Sequence, residues 1–296
     1  MKNIDMSERP AYLSISLDRL QLSFKDNEEI QYIPCSDIGM LMLNNPQVTL
    51  SQSVIPTLNA HGAIIVFCDR THVPISLALP VDGNCNQTKR LHQQVGSLPK
   101  LKKQIWTSLV KAKISNQDAL LLKLTGERQL LDLEATVLPG DPTNRESIAA
   151  IRYWKLLFGP TFKREKLYTD QNSLLNYGYT VLFATMARAI VTSGLHPSFG
   201  VFHSNQTNAF CLASDLMEPL RPVVDAFVHQ CWKINPESIV SKDFKRYMLQ
   251  EFTDIKHQLV GEERAVIPDL CKRMTSSLVS VLAYQKPVLY TPLLEF

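Results

Sequence analysis

The side chains best suited to chemistry in this chain are two glutamates, a histidine and an aspartate: Glu146, His203, Asp215 and Glu218. Two hard carboxylates and one imidazole suit Mg²⁺ or Mn²⁺, with waters completing the shell. Such an ion polarises a phosphodiester and stabilises an attacking or leaving oxygen. Each residue also has a plainer reading. Glu146 closes Gly140-Asp-Pro-Thr-Asn-Arg-Glu146, where Thr143-x-x-Glu146 spells a capping box with Glu146 at N3. The two roles are compatible, since one carboxylate oxygen can cap while the other binds a cation. His203 stands alone in Phe199-Gly-Val-Phe-His203, a short strand or turn, and a lone histidine is more often structural than a ligand. Asp215 and Glu218, three residues apart, share a face if their turn is helical. Pro219 biases Glu218 away from αR and towards the entry of the next helix, where acids complement the helix dipole. Arg221 is placed to pair with one of them. The chain has no His-Glu-x-x-His, no Walker A loop and no Gly-x-Gly-x-x-Gly, so neither a metalloprotease nor nucleotide-fuelled chemistry is supported.

Glu146 and His203 are 57 residues apart, and His203 and Glu218 are 15 apart. Only the fold can bring them together. A central helix over Leu174–Ser193, apolar on nearly every face, is the natural scaffold. The first eighty or so residues instead show period-two alternation. Leu13, Ile15 and Leu17 alternate with serines, Asp18-Arg19 breaks the run, and Leu20, Leu22 and Phe24 resume it, a hairpin signature. Apolar runs follow at Met40–Leu43, Ala63–Cys68 and Ile75–Leu79, punctuated by Asn44-Asn45-Pro46 and Asp69-Arg70, with a short helix over Ser53–Ala60 ended by Gly62. A polar linker is expected at Val81–Thr88. Beyond it, helical periodicity predicts helices over 88–98, 100–114, 117–133, 144–158, 173–194, 219–233, 236–249 and 262–284, mostly bounded by prolines. Pro268 would kink or split the last of these, and Gln285–Phe296 is too rich in proline for anything but an extended tail. The expected class is α+β: a small N-terminal β-rich domain, residues 1–85, followed by a larger all-helical catalytic domain, residues 86–296.

At 296 residues and 45% hydrophobic, the chain can bury a sizeable core. Its net charge is only +3, so a nucleic-acid surface would need local clustering. Nine basic residues between Lys89 and Arg128 are opposed only by Asp118 and Glu127. They read either as a solvated helix face or as a track for phosphates. Lys163, Arg164 and Lys166 form a smaller cluster. Six cysteines without a Cys-x-x-Cys pair fit reduced thiols and argue against a disulfide framework or a zinc ribbon. With no apolar leader and no run of about 18 apolar residues, a cytoplasmic protein without membrane contact is expected.

Four segments carry a family resemblance: Gly140-Asp-Pro-Thr-Asn-Arg-Glu146, Asn176-Tyr-Gly-Tyr179, Gly200-x-x-His203 and Leu212-Ala-Ser-Asp-Leu-Met-Glu-Pro-Leu-Arg-Pro222. Together they make the chain resemble the CRISPR-associated spacer-acquisition integrases (Cas one) in their type II form. The resemblance implies that Glu146, His203 and Glu218 hold Mg²⁺ or Mn²⁺, with Asp215 beside the last ligand in a role left open. Many members of that family carry two adjacent histidines where this chain has Phe202-His203. It further implies insertion of short DNA fragments by attack of a 3′-hydroxyl on a repeat end, with endonuclease activity when water attacks instead. The implied partners are double-stranded and branched DNA, a second copy bound through the β-rich domain, and the Cas two protein in a complex of two dimers around one. A type II effector nuclease would be a further partner. Two rivals stay open: a stand-alone metal nuclease for branched DNA, and a non-catalytic DNA-binding scaffold.

Overall fold

The computed structural model describes all residues except 1, 26–28, 69–73, 81–82, 166–169 and 236–239. The N-terminal part is built on eight strands: β1 (Lys2–Met6), β2 (Ala11–Ser16), β3 (Arg19–Phe24), β4 (Ile30–Pro34), β5 (Ile38–Leu43), β6 (Thr49–Leu50), β7 (Ile64–Cys68) and β8 (Pro74–Ala78), with helix α1 (Val54–Ala60) before β7. The expected hairpin is β2–β3, paired antiparallel from Ala11–Phe24 to Ser16–Arg19. Its turn is Leu17-Asp18, both at positive φ, the left-handed pair that matches strand twist. These strands form two four-stranded sheets, in orders β4-β3-β2-β6 and β1-β5-β7-β8. In the second, β5 and β7 are buried on both sides, and their alternation sorts the side chains. Leu41, Leu43 and Ile65 join the N-terminal core, while Met40, Met42, Ile64 and Val66 join the core of the helical part. One sheet thus serves as a shared wall. Tyr177 of the helical part donates to Asp5 Oδ2 at 2.9 Å, and Asn44 donates to the other oxygen at 2.9 Å, tying the β1 edge of that wall to the helical part.

The rest of the chain supplies α2 (Gln87–Val95), α3 (Pro99–Thr125), α4 (Leu131–Ala135), α5 (Arg145–Phe158), α6 (Asp170–Thr192), α7 (Cys211–Leu216), α8 (Arg221–Ile234), α9 (Lys242–Thr253) and α10 (Ile267–Tyr284). The α+β class holds, with three corrections to the expected elements. The break predicted between helices 100–114 and 117–133 is absent: one 27-residue helix, α3, runs through it and ends at Thr125, and the rest of the second predicted helix is a short bend followed by the start of α4. The polar stretch Ser115-Asn116-Gln117-Asp118 looks like a break but is mostly buried and partnered. Asn116 donates to the carbonyls of Pro219 and Pro292, and Asp118 accepts from the amides of Gln129 and Leu130. The second part is not wholly helical: β9 (His257–Leu259), β10 (Glu262–Ala265) and β11 (Leu294–Glu295) form a small sheet. Pro268 accordingly starts α10 rather than kinking it, and the extended C-terminal segment docks as β11 on β9. The turn at Asp69-Arg70, residues 81–82 of the linker, Lys166 and residues 236–239 of a predicted helix lie outside the described residues.

Helix α6 is the expected central one, buried around most of its circumference. Over Gln171–Thr192 it is long and apolar enough to cross a membrane by length and composition, which corrects the expectation that no segment would be. In this fold 78% of that window is buried, so its apolarity serves packing. Gly178 marks the tightest crossing, because a Cβ there would lie 2.5 Å from Val224 and 2.8 Å from Met248. That contact lets α8 approach α6, and α8 begins at the candidate site.

Candidate metal centre

Glu146 sits in the first turn of α5, but the expected capping box does not form. The N-cap is Asn144, in the left-handed region at φ 52°, and Glu146 is at N2. The amides of Arg145 and Glu146 are instead capped by Asp141, at 2.8 Å and 3.0 Å. Glu146 is thereby released from local duty, and its Oε1 meets Lys113 Nζ at 2.6 Å. Glu218 opens a single 3-10 turn, Glu218–Leu220, that leads into α8. Asn116, one turn along α3 from Lys113, holds this turn through the Pro219 carbonyl at 2.7 Å and also accepts from Leu294 N at 2.9 Å. Glu218 Oε2 lies 2.6 Å from the same Lys113 ammonium, and its Oε1 lies 3.0 Å from Arg221. Two of the sequence-predicted ligands, brought from different helices, therefore converge on one cation.

His203 lies beside them in a bend, its side chain 43% exposed. Asp215, fully buried on α7, holds this bend together. It accepts the amides of Val201, Phe202 and His203 at 2.6, 3.0 and 3.2 Å, and its Oδ1 lies 2.5 Å from His203 Nδ1. In this geometry Asp215, whose role the sequence leaves open, holds the histidine ring through Nδ1, the contact that carboxylates make behind metal-binding histidines. Gly200 is required here by close approach. A Cβ would run into the His203 carbonyl and come within 2.9 Å of Asp215 Oδ2 and of Cys211 Cβ.

The electrostatics follow from burial and charge. Burial pushes Glu218 up, but Arg221, then Lys113 and His203, more than reverse this and hold it below the usual carboxylate range. Burial lowers Lys113, yet Glu218 and Glu146 outweigh it and raise the ammonium above its ordinary value. For His203, the hydrogen bond to Asp215 is the main cause of a raised pKa, with Glu218 and Glu146 adding to it against partial burial. Among the described residues no three His, Cys, Asp or Glu side chains lie close enough together to hold one ion as they stand. The ammonium of Lys113 takes the position between the two glutamates. The donor chemistry nonetheless fits a hard divalent cation. Glu218 Oε2 is buried and touches the ammonium without making a directed hydrogen bond to it, so a strong oxygen donor is left to a point charge.

Lys113 is the residue the sequence reading misplaced, as one of nine cations on a basic track. Of those nine, Lys113 is buried in the site, Arg128 pairs with Asp118, and Arg90 donates to the Ser193 carbonyl. Lys89, Lys100, Lys103 and Lys123 are exposed. A signal was present: Lys113 shares a helical face with Trp106, Leu109, Val110 and Gln117, all of them buried.

A β-walled N-terminal part and a helical part built around one buried helix bring together two glutamates and an Asp-held histidine. Comparison with known proteins gives the family. The family model for CRISPR associated protein Cas1 matches residues 6–142 and 163–252. The CRISPR-associated endonuclease Cas1 of Neisseria meningitidis serogroup C is 37% identical over 218 residues, 72% of this chain and 71% of that protein. This chain belongs to the Cas1 endonuclease and integrase family. Among solved structures, a casposase bound to its integration product superposes with a TM-score of 0.81 at 18% identity, covering 98% of this chain and 92% of the casposase. A Cas6-RT-Cas1–Cas2 complex matches with a TM-score of 0.77 at 16% identity, covering 98% of this chain and 36% of that one.

Proposed function

We propose that this Cas1 protein is a metal-dependent CRISPR integrase, with Glu146, His203 and Glu218 as the ligands of Mg²⁺ or Mn²⁺. It joins the 3′-hydroxyl of a captured DNA fragment to a phosphodiester at a repeat end. The observation that carries this reading is the convergence of Glu146 and Glu218 on a single cation position, with the Asp215-held imidazole beside it. A divalent cation there would draw charge from the phosphodiester and steady the departing oxygen. The chain's own groups do the rest. Arg221 keeps Glu218 ionised, and Asp215 fixes the ring and tautomer of His203. Lys113 neutralises the two glutamates here, and a divalent ion held by them would take the place of its ammonium. Exchange of one phosphodiester for another is nearly neutral in energy, which suits a chain without a nucleotide-binding motif.

The proposed partners are double-stranded and branched DNA, a second copy bound through the N-terminal strands, and a Cas2 dimer flanked by two such pairs. A type II effector nuclease would select fragments. Support comes from the solved neighbours, one a casposase holding an integration product and one a Cas1–Cas2 assembly. The relative's name, an endonuclease, favours a second reading in which water replaces the 3′-hydroxyl at the same site.

One assay separates these readings. A labelled branched DNA mimicking a half-inserted fragment is incubated with Mn²⁺, Mg²⁺ or EDTA, using wild type, His203→Ala and Glu218→Ala shown to be folded and DNA-binding. Metal-dependent strand joining, lost in both variants, is expected. Cleavage without joining would favour the nuclease, and full activity in either variant would overturn the site.

A further inference from the structure

Phe202 sits next to His203 and is an exposed aromatic in an unusual setting. Its ring lies flat on Trp106, with centroids 4.2 Å apart and planes 3° from parallel. Trp106 is 1% exposed and Phe202 is 52% exposed. One π-face of Phe202 is therefore covered and the other faces solvent. The ring is also held firmly. Its backbone amide is one of the three that Asp215 gathers, and Gly200 fixes the start of the bend. The His203 ring meets both aromatics edge-on, at 5.5 Å from Phe202 and 5.8 Å from Trp106. The ring's bare face leaves apolar area in water that a stacked partner would cover. Its availability calls for an occupant.

Resting on the proposed strand-transfer reading, we propose that Phe202 is a stacking platform for the terminal, unpaired nucleobase of the DNA strand whose end reacts at this site. The chemistry narrows the occupant. Every nucleobase offers a π-face, and stacking on an aromatic side chain is tolerant of sequence. Because Trp106 already covers one side, the Phe202 ring can cap a stack but cannot slip between two bases. Only the last base of a strand, or one splayed out of it, has a free face to give. A base inside a duplex has both faces taken by its neighbours. The edge-on contact with His203 then puts the sugar and phosphate of the capped nucleotide close to the imidazole, where a 3′-end must be held for attack.

The platform can be tested without chemistry. A DNA fragment carries 2-aminopurine, whose fluorescence falls on stacking, either as the last base of a single-stranded 3′ overhang or three bases inward. Binding is followed in EDTA with wild type, Phe202→Leu and Phe202→Tyr, each with its melting temperature measured. Wild type and Phe202→Tyr should quench the terminal reporter. Phe202→Leu should not, and should bind the overhang fragment about 5- to 150-fold more weakly, the range that corresponds to one lost base–aromatic stack. The inward reporter should respond alike in all three. Terminal quenching that persists in folded Phe202→Leu, or quenching lost equally at both positions, would overturn the platform. His203→Ala should keep the quenching while losing strand transfer. If wild type quenches the terminal base yet transfers no strand with any metal, the integrase reading fails while the platform stands.

Discussion

Two buried carboxylates at the start of α8, Glu218 and Asp225, are seven residues apart and so lie roughly on one face of the chain's helical path. Burial raises both. What surrounds them decides the outcome. Glu218 meets two cations, Lys113 at 2.6 Å and Arg221 at 3.0 Å, and ends below the usual carboxylate range. Asp225 meets hydroxyls: Tyr153 donates to Oδ2 at 2.9 Å and Tyr179 donates to Oδ1. Those hydrogen bonds, with the more distant Arg221 and Arg164, offset only part of the burial, and Asp225 is pushed up to about 6. A neutral donor stabilises a carboxylate less than a full charge does. The first carboxylate is thus kept ionised for a cation, while the second ties α5, α6 and α8 together. Arg221 links them, since its guanidinium also lies over the Tyr179 ring at 4.7 Å.

The comparison breaks most sharply at Glu218. Glu218→Ala should cost roughly a thousandfold in metal-dependent strand joining, because a bound metal contributes several kcal/mol to the transition state. Asp225→Asn should leave joining within about tenfold, as read in the same branched-DNA assay. Loss of the same size in both variants would mean that the tyrosine cluster belongs to the reacting centre.

Next in size is Lys113→Met, which removes the shared cation. Taking one partner from a buried ion pair costs about 3–5 kcal/mol, here at the lower end because Arg221 remains on Glu218. For a chain this long, each kcal/mol lowers the melting temperature by about 2–4 °C. Metal-free Lys113→Met should therefore melt roughly 10 °C lower, and added Mn²⁺ should raise its midpoint more than it raises that of wild type. Equal shifts in the two proteins would show that ammonium and metal do not compete for one position.

Asp225 provides the pH test. Its pKa in the fold is raised above the unfolded value, so its contribution to stability is complete below the unfolded pKa, about 3.9. That contribution is lost as the pH rises through about 6. The loss is on the order of 2–3 kcal/mol by linkage. Asp225→Asn, whose amide can accept from one tyrosine and donate to the other, should flatten this fall. Denaturant melts of both proteins at pH 4.5 and pH 7.5 would show it, and parallel pH profiles would mean that Asp225 stays ionised across the range.

The fold was legible wherever one period dominated. Strands β2 and β3 alternate cleanly because one face of their sheet is buried, and α6 is apolar all round because it is central. Legibility failed where polar groups are satisfied from afar. Asn116 and Asp118 look like breakers in α3, yet their partners are 10 to 178 residues away, outside the helical turn in which they sit. The β9–β11 pair joins segments separated by α10, and no local pattern announces that. At the site, Glu146, His203 and Glu218 stood out only through family motifs, and spacing could not join them. Lys113 was hidden by its own type, since a lysine reads as solvent-facing until the fold closes two glutamates over it.

A third carboxylate completes the series with the smallest expected effect. Asp141 is mostly buried, and among the described residues its carboxylate accepts from the amides of Arg145 and Glu146 rather than from a cation or a hydroxyl. The sequence pattern assigned this cap to Thr143 and Glu146, so two substitutions decide between the arrangements. Asp141→Ala should lower stability by about 1 kcal/mol, the usual cost of losing an N-terminal cap, while Thr143→Ala should be nearly silent. The effect should be the same with and without Mn²⁺, since the cap does not use the Glu146 side chain. Urea melts of the two variants measure it. A silent Asp141→Ala beside a costly Thr143→Ala would restore the capping box and leave Glu146 one carboxylate oxygen for Lys113.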